Sequence, residues 1–149
     1  MNVTSSSSCK SGALSILYFN ARSLLPKIDE LRALSRTHKP HIICIVESWL
    51  DETILDSELC IGNYDIVRLD RNRHGGSVLL YIISSLSHHI VFSGSSDLEL
   101  IVVSVNLPLS KVAIGLFYRP PCSPSPVLIM YLLLCAHMLM FVCCPILSC

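Results

Sequence analysis

Two short apolar runs with a helical stretch between them limit what this chain can fold into. "ALSILYFN", residues 13–20, and "HIICIVE", residues 41–47, each read as a buried strand with a polar residue at its end. Between them lies "ARSLLPKIDELRALSRTHKP". Pro26 suits a first helical turn, because its ring presets φ and its missing N–H has no helical partner to lose. Ile28, Leu31 and Leu34 recur at helical spacing, while Lys27, Asp29, Glu30, Arg32 and Arg36 fall on the other faces. Pro40 stops the helix. Strand, amphipathic helix, strand is a βαβ unit, which brings both strand ends to one rim of a sheet.

The rest of the charged portion reads as strands with short connections. After an irregular or short helical link, "SWLDETILDSEL", come "YDIVRLD" (64–70), the basic turn "RNRHGG" (71–76), "SVLLYIIS" (77–84), "HHIVFS" (88–93), "DLELIVVSVNL" (97–107) and "KVAIGLFYRP" (111–120). A βαβ start followed by antiparallel strands is an α+β domain on a mixed sheet. There is no internal repeat.

Composition locates a boundary. The chain has 149 residues, enough for one domain or a piece of a larger one. It is 52% hydrophobic and only 15% charged. The excess is not spread evenly. All Asp, Glu, Lys and Arg residues lie at or before Arg119, and residues 120–149 contain none. The division expected is a disordered leader over 1–12, a domain over 13–121 and an apolar tail over 122–149. A net charge of zero argues neither for nor against a nucleic-acid partner. The polar start "MNVTSSSSCKSG" has no signal-peptide core, and no cysteine pair has zinc-ligand spacing. The eight cysteines therefore read as reduced thiols of an intracellular protein, nuclear or cytoplasmic, with no disulfide partner.

Three strand ends carry polar groups where apolar ones would continue the strand: Asn20, Glu47 and Tyr118-Arg119. A carboxylate on such a rim is a candidate ligand for Mg²⁺, a hard cation that takes few protein oxygens. An Asn amide beside it can orient the carboxylate, and a Tyr hydroxyl and an Arg can bind phosphate. Each residue also has a plainer reading. Asn20 suits a tight turn, Glu47 a solvated strand end and Tyr118 the edge of the core. Trp49 reads as a packing anchor. Arg68, Arg71 and Arg73 suit a solvated turn as well as a DNA-facing patch. His88 and His89 point to opposite faces of a strand and do not make a metal pair.

"FNARSLLPKIDEL", "PHIICIVESWL", "YDIVRLDRNRHGGSVLLYI" and "FYRPP", in that order, resemble the N-terminal portion of the endonuclease domain of non-LTR (LINE-type) retrotransposons. That domain is a member of the endonuclease/exonuclease/phosphatase superfamily. The resemblance runs from about Leu14 to Pro121. It implies a truncated α/β sandwich with a mixed sheet and a hydrolase that nicks one DNA strand with Mg²⁺, the nick then priming reverse transcription. Asn20 and Tyr118 would be catalytic and Glu47 the metal ligand. Arg71, Arg73 and Arg119 would bind the substrate. Another phosphodiesterase of the same superfamily is the alternative enzyme.

The sequence then departs from the family's pattern. The family continues after "YRPP" with a helix, a strand ending in a "GDFN"-like motif that positions the attacking water, and later an "SDH"-like motif with an essential His. After Pro121 this chain has no Asp, Asn or Gly, and its only His, His137, matches neither motif. The resemblance therefore implies a truncated and inactive copy. Roughly half of the sandwich would be missing and one sheet face left bare. Read from the third base of the Val127 codon, the tail can spell Phe-Asp-Asn-Val-Phe-Thr and later Ser-Asn-Phe-Val-Leu. That makes it the expected product of a frameshift or a mispredicted gene. A second class of reading rests on residues 127–144, an uncharged apolar run just long enough to span a membrane. It would make the chain a tail-anchored, non-catalytic membrane or interaction protein.

Overall fold

The computed structural model describes residues 13–95 and 98–118 and the backbone of Met138–Cys143. The βαβ start forms as the apolar pattern requires. β1 (Ile16–Asn20) lies parallel to β2 (Ile42–Val46), with Asn20 beside Val46. A single 3-10 turn, Leu25–Lys27, holds Pro26 and leads into α1 (Ile28–His38). The buried stripe of α1 is Ile28, Leu31 and Ser35, with Leu34 only half-buried. Lys39 takes a left-handed conformation, φ 44°, and its N–H bonds Ser35 O, which closes the helix before Pro40.

Two four-stranded sheets follow from the remaining strands. The link carries a short helix, α2 (Asp56–Leu59). β3 (Tyr64–Leu69) and β4 (Val78–Ile83) join the first sheet in the order β1-β2-β4-β3, both antiparallel to their neighbours. β5 (His88–Ser95), β6 (Leu98–Leu107) and β7 (Ser110–Tyr118) form an antiparallel meander. A final strand, β8 (Met138–Cys143), lies parallel to β7, with Cys143 beside Tyr118. Each sheet is therefore mixed.

The sheets pack face to face. Ile42, Cys44 and Val46 of β2, with Val78, Leu80 and Ile82 of β4, meet Ile101, Val103 and Val105 of β6 and Ile114, Leu116 and Tyr118 of β7. Burial of each Val, Leu or Ile contributes about 1.5–3 kcal/mol, so this layer is the main term joining the sheets. A second layer, built from Phe19, Leu24, Leu31, Ile43, Ile45, Leu59 and Tyr81 among others, fills the space under α1 and the 50–61 link. These contacts correct the expectation of a bare sheet face. The strands of the charged portion divide between two sheets, and the apolar positions facing inward from β6 and β7 are covered by β2 and β4.

Cys44 is buried in β2 as a free thiol whose pKa burial pushes up strongly; Cys60 is an exposed free thiol. The leader, the last residues of the expected domain from Arg119 to Pro121, and most of the tail, including His137, lie outside the described residues. Among the described residues no helix is long and apolar enough to cross a membrane, and β8 occupies part of the 127–144 run.

Candidate functional site

The parallel pairing of β1 and β2 delivers Asn20 and Glu47 to the same rim. Asn20 Nδ2 donates to Glu47 Oε1 at 2.8 Å. Asn20 Oδ1 accepts from Arg22 N at 3.1 Å, so the amide is fixed from both ends. This orientation leaves Oε2 of Glu47 outside the pair. The carboxylate is 9% exposed.

The backbone around this pair is laced together from three loops. Ala21 N donates to Val46 O (2.9 Å), Ser23 N to Glu47 O (3.0 Å) and Leu24 N to Ser48 O (2.9 Å). On the other side Ser48 N donates to Ser77 O and Trp49 N to Gly76 O, both at 3.3 Å. Arg22, Ser23, Glu47, Trp49 and Ser77 all have positive φ without being glycine. Each such residue costs of order 1–3 kcal/mol and persists only when its surroundings over-determine it. Outliers of this kind concentrate at functional sites, and here they cluster on the rim that holds Asn20 and Glu47.

Glu99, near the start of β6, is a second buried carboxylate that the sequence reading missed. It is 2% exposed. Oε2 accepts from Ser77 N at 2.5 Å and Oε1 from Arg71 Nη1 at 2.9 Å. Burial pushes its carboxyl above the usual glutamate value; the bonds from Ser77 and Arg71 oppose this, and the charge of Glu47 adds to it. The available signal was parity. Glu99 is two residues before Ile101 and four before Val103, so it belongs on the inward, apolar side of β6.

The other expected site residues are placed as follows. Tyr118 ends β7, lies beside Glu99 in the register and packs into the inter-sheet layer at 6% exposure. Arg71 reaches inward to Glu99. Arg73 Nε bonds Asp51 Oδ2 at 2.7 Å and its Nη2 bonds Thr53 at 2.6 Å, so it clamps the link. Asp51 is held below the usual aspartate pKa by the Thr53 hydroxyl and then by Arg73. Arg68 is a structural clamp as well. It bonds Asp70 and Asp56 together with the carbonyls of Asp51 and Ile54. Trp49 is half-buried, and its Nε1, like the hydroxyl of fully buried Ser48, has no hydrogen-bond partner among the described residues. Buried donors of this kind call for a water, an ion or a ligand.

Among the described residues no three His, Cys, Asp or Glu side chains converge as a ready metal cage. Mg²⁺ does not need one, since one or two carboxylates plus water and substrate oxygens suffice. Glu47, with one oxygen tied by Asn20 and the other left over, fits that minimal set. Glu99 fits less well, because both its oxygens are already engaged.

No family model matches the sequence, and no curated protein matches it significantly. Solved structures do match. The endonuclease domain of TRAS1, a telomere-specific non-LTR retrotransposon, superposes with a TM-score of 0.64 at 12% identity, over 87% of this chain and 58% of that one. D. rerio TDP2 complexed with a single-strand DNA product gives 0.63 at 12% identity, over 87% and 58% of the two chains. The AP endonuclease LMAP of Leishmania major gives 0.58 at 18% identity, over 78% and 43%. This chain thus spans 43–58% of the length of these three structures.

Proposed function

We propose, from the endonuclease/exonuclease/phosphatase fold that this chain carries, that it is the N-terminal portion of a Mg²⁺-dependent DNA-nicking endonuclease of the non-LTR retrotransposon kind, and that these 149 residues hold the site without completing it. One observation carries the reading: the 2.8 Å bond that fixes Glu47 to Asn20 at two adjacent strand ends, where the resemblance puts a metal ligand and its companion amide.

In this reading Glu47 would hold Mg²⁺, which would supply charge neutralisation at a bound phosphate. The chain's own groups do the rest. The Asn20 amide aims the Glu47 carboxylate. Tyr118, at the end of β7 in the facing sheet, would offer a hydroxyl to a phosphate oxygen. Arg71 keeps part of its guanidinium on the surface, and Arg119 follows Tyr118 directly in the chain. The groups that would take a proton from water belong, by the resemblance, to the "GDFN"-like and "SDH"-like motifs, which these 149 residues do not contain. β8 ends beside Tyr118 at Cys143, and the sequence after Pro121 has none of the Gly, Asp and Asn that the resemblance calls for at a following strand end. Without a positioned base or water-orienting amide, a bound phosphodiester is held but attacked slowly. The change from charged domain to uncharged tail favours a frameshift as the origin of residues 122–149.

The test is binding and cleavage in parallel. Mn²⁺, a probe for the Mg²⁺ site, should bind the wild type and bind Glu47→Gln at least tenfold more weakly, the loss expected for removal of one ligand charge. Supercoiled plasmid with Mg²⁺ should show no nicking above the Glu47→Gln background. Equal Mn²⁺ affinity in both proteins would remove Glu47 as a ligand. Robust nicking abolished by Glu47→Gln would refute the incomplete-site reading and leave an enzyme. The origin of the tail is decided by the genomic sequence after the Val127 codon: a shifted frame that spells "GDFN"-like and "SDH"-like motifs supports the frameshift, and its absence rejects it.

A further inference from the structure

We propose that Glu99 is the positioning residue of the Glu47 site, holding the Gly76-Ser77 turn on which the Glu47–Trp49 segment hangs. The inference rests on the reading of Glu47 given above, since positioning matters only if Glu47 is a ligand.

A carboxylate on the inward face of β6 costs several kcal/mol unless it is paired and hydrogen-bonded. Glu99 is both, and its two partners lie at opposite ends of one loop. Arg71 opens the loop between β3 and β4, and Ser77 closes it. The loop is further stitched by Arg71 N to Ser77 Oγ at 2.9 Å and by Ser77 Oγ to Leu50 O at 3.3 Å. Glu99 therefore fixes the loop at both ends from another sheet.

The loop in turn supports the segment after β2. Its carbonyls at Ser77 and Gly76 accept from the N–H groups of Ser48 and Trp49. The path from the Glu99 carboxylate to the residue next to Glu47 is then two hydrogen bonds and one residue: Glu99 Oε2, Ser77 and Ser48. Glu47 and Trp49 both have φ of 53°, a conformation that bulky residues do not hold unaided. The turn supplies that support. Gly76 is required here for two reasons: its φ is +76°, and a Cβ would lie 2.5 Å from Glu99 Oε1. Direct participation of Glu99 as a second ligand is disfavoured by its own bonding, because Ser77 occupies one oxygen and Arg71 the other.

The experiment is amide hydrogen exchange on the full chain, comparing Ser48 and Trp49 with Ile43 and Ile45 in the middle of β2. Glu99→Ala should lower protection at Ser48 and Trp49 by about tenfold more than at Ile43 and Ile45, the effect of losing about one buried hydrogen bond. Glu99→Gln keeps an oxygen for Ser77 N and should fall in between; it carries the test if the alanine variant does not fold. Equal loss at all four amides would make Glu99 a general stabiliser and overturn the proposal, as would no loss at Ser48 and Trp49. Mn²⁺ affinity in the same variants should fall with the local protection. If wild type and Glu47→Gln bind Mn²⁺ equally, the ligand reading fails, and the exchange pattern still decides whether Glu99 holds the turn.

Discussion

Replacing Gly76 by Ala tests the rim where its geometry is tightest. The added Cβ would stand 2.5 Å from Oε1 and 2.6 Å from Oε2 of Glu99. A carboxylate at the end of a side chain can often swing aside at little cost. Here it is 2% exposed and held by Ser77 N and Arg71, so moving it breaks a bond to a buried charge. Such a bond contributes about 1.5–3 kcal/mol. Holding Ala at φ +76° adds about 1 kcal/mol. The expected loss is therefore about 2–4 kcal/mol, read as a shift of the urea midpoint at constant slope. Trp49, the one tryptophan in the sequence, sits beside the turn and reports the transition by its fluorescence. Gly62→Ala is the control: no atom lies within 4 Å of its Cβ, and its stability should stay within about 0.5 kcal/mol of wild type. A Gly76→Ala protein as stable as Gly62→Ala would refute the argument that Glu99 is fixed against this turn.

Two further outcomes follow from the clamps on the link. Arg68→Ala should destabilise by about 2–3 kcal/mol, since it strips the partner from half-buried Asp70, takes the side-chain donor from the Ile54 carbonyl and leaves the Asp51 carbonyl only its bond from Ile54 N; a loss under about 0.5 kcal/mol in chemical denaturation would show that the network is dispensable. Asp51 has a folded pKa below its ordinary value of 3.8, so the stability it adds is complete above that value and is lost as pH falls through the lower, folded one. The stability difference between wild type and Asp51→Asn should accordingly be flat near neutrality and shrink below about pH 4; a difference that widens on acidification would contradict the sign of this linkage.

Much of the architecture was legible because it rests on local patterns. The seven strands of the charged portion and α1 fall where apolar periodicity and the two prolines put them, with ends differing by up to three residues. The division into two sheets was not legible. The connection between β4 and β5, around Ser84-Ser85-Leu86-Ser87, is as short and polar as a hairpin loop, yet it carries the chain from one sheet to the other. Nothing local distinguishes the two cases, because both need a turn and a following strand. β8 was hidden for a different reason. Apolarity without alternation fits a strand, a buried helix or a membrane span equally well. At the rim, Asn20 and Glu47 stood out because each interrupts an apolar run at its end. Glu99 did not, because it lies inside the strand read over 97–107, ahead of the apolar run rather than at its end. Arg68 was equally opaque, since three of its four partners lie 12 to 17 residues earlier in the chain.

The bonds that would prepare this rim for chemistry are also the bonds that hold it folded. Asn20 orients Glu47 and at the same time satisfies a carboxylate that is nearly buried. Ser77 supports the segment after β2 and at the same time satisfies Glu99. A network of this kind is kept by stability alone, because removing any member leaves a buried polar group unpaired, at about 1–3 kcal/mol. Its persistence therefore says little about turnover. The proton-transfer groups are different: the resemblance implies them in motifs after Pro121, apart from the two residues that make the Asn20–Glu47 bond. On the proposed reading, binding and catalysis would rest on separable sets of residues. A chain that keeps the first set and lacks the second should hold a cation at Glu47 and leave DNA uncut.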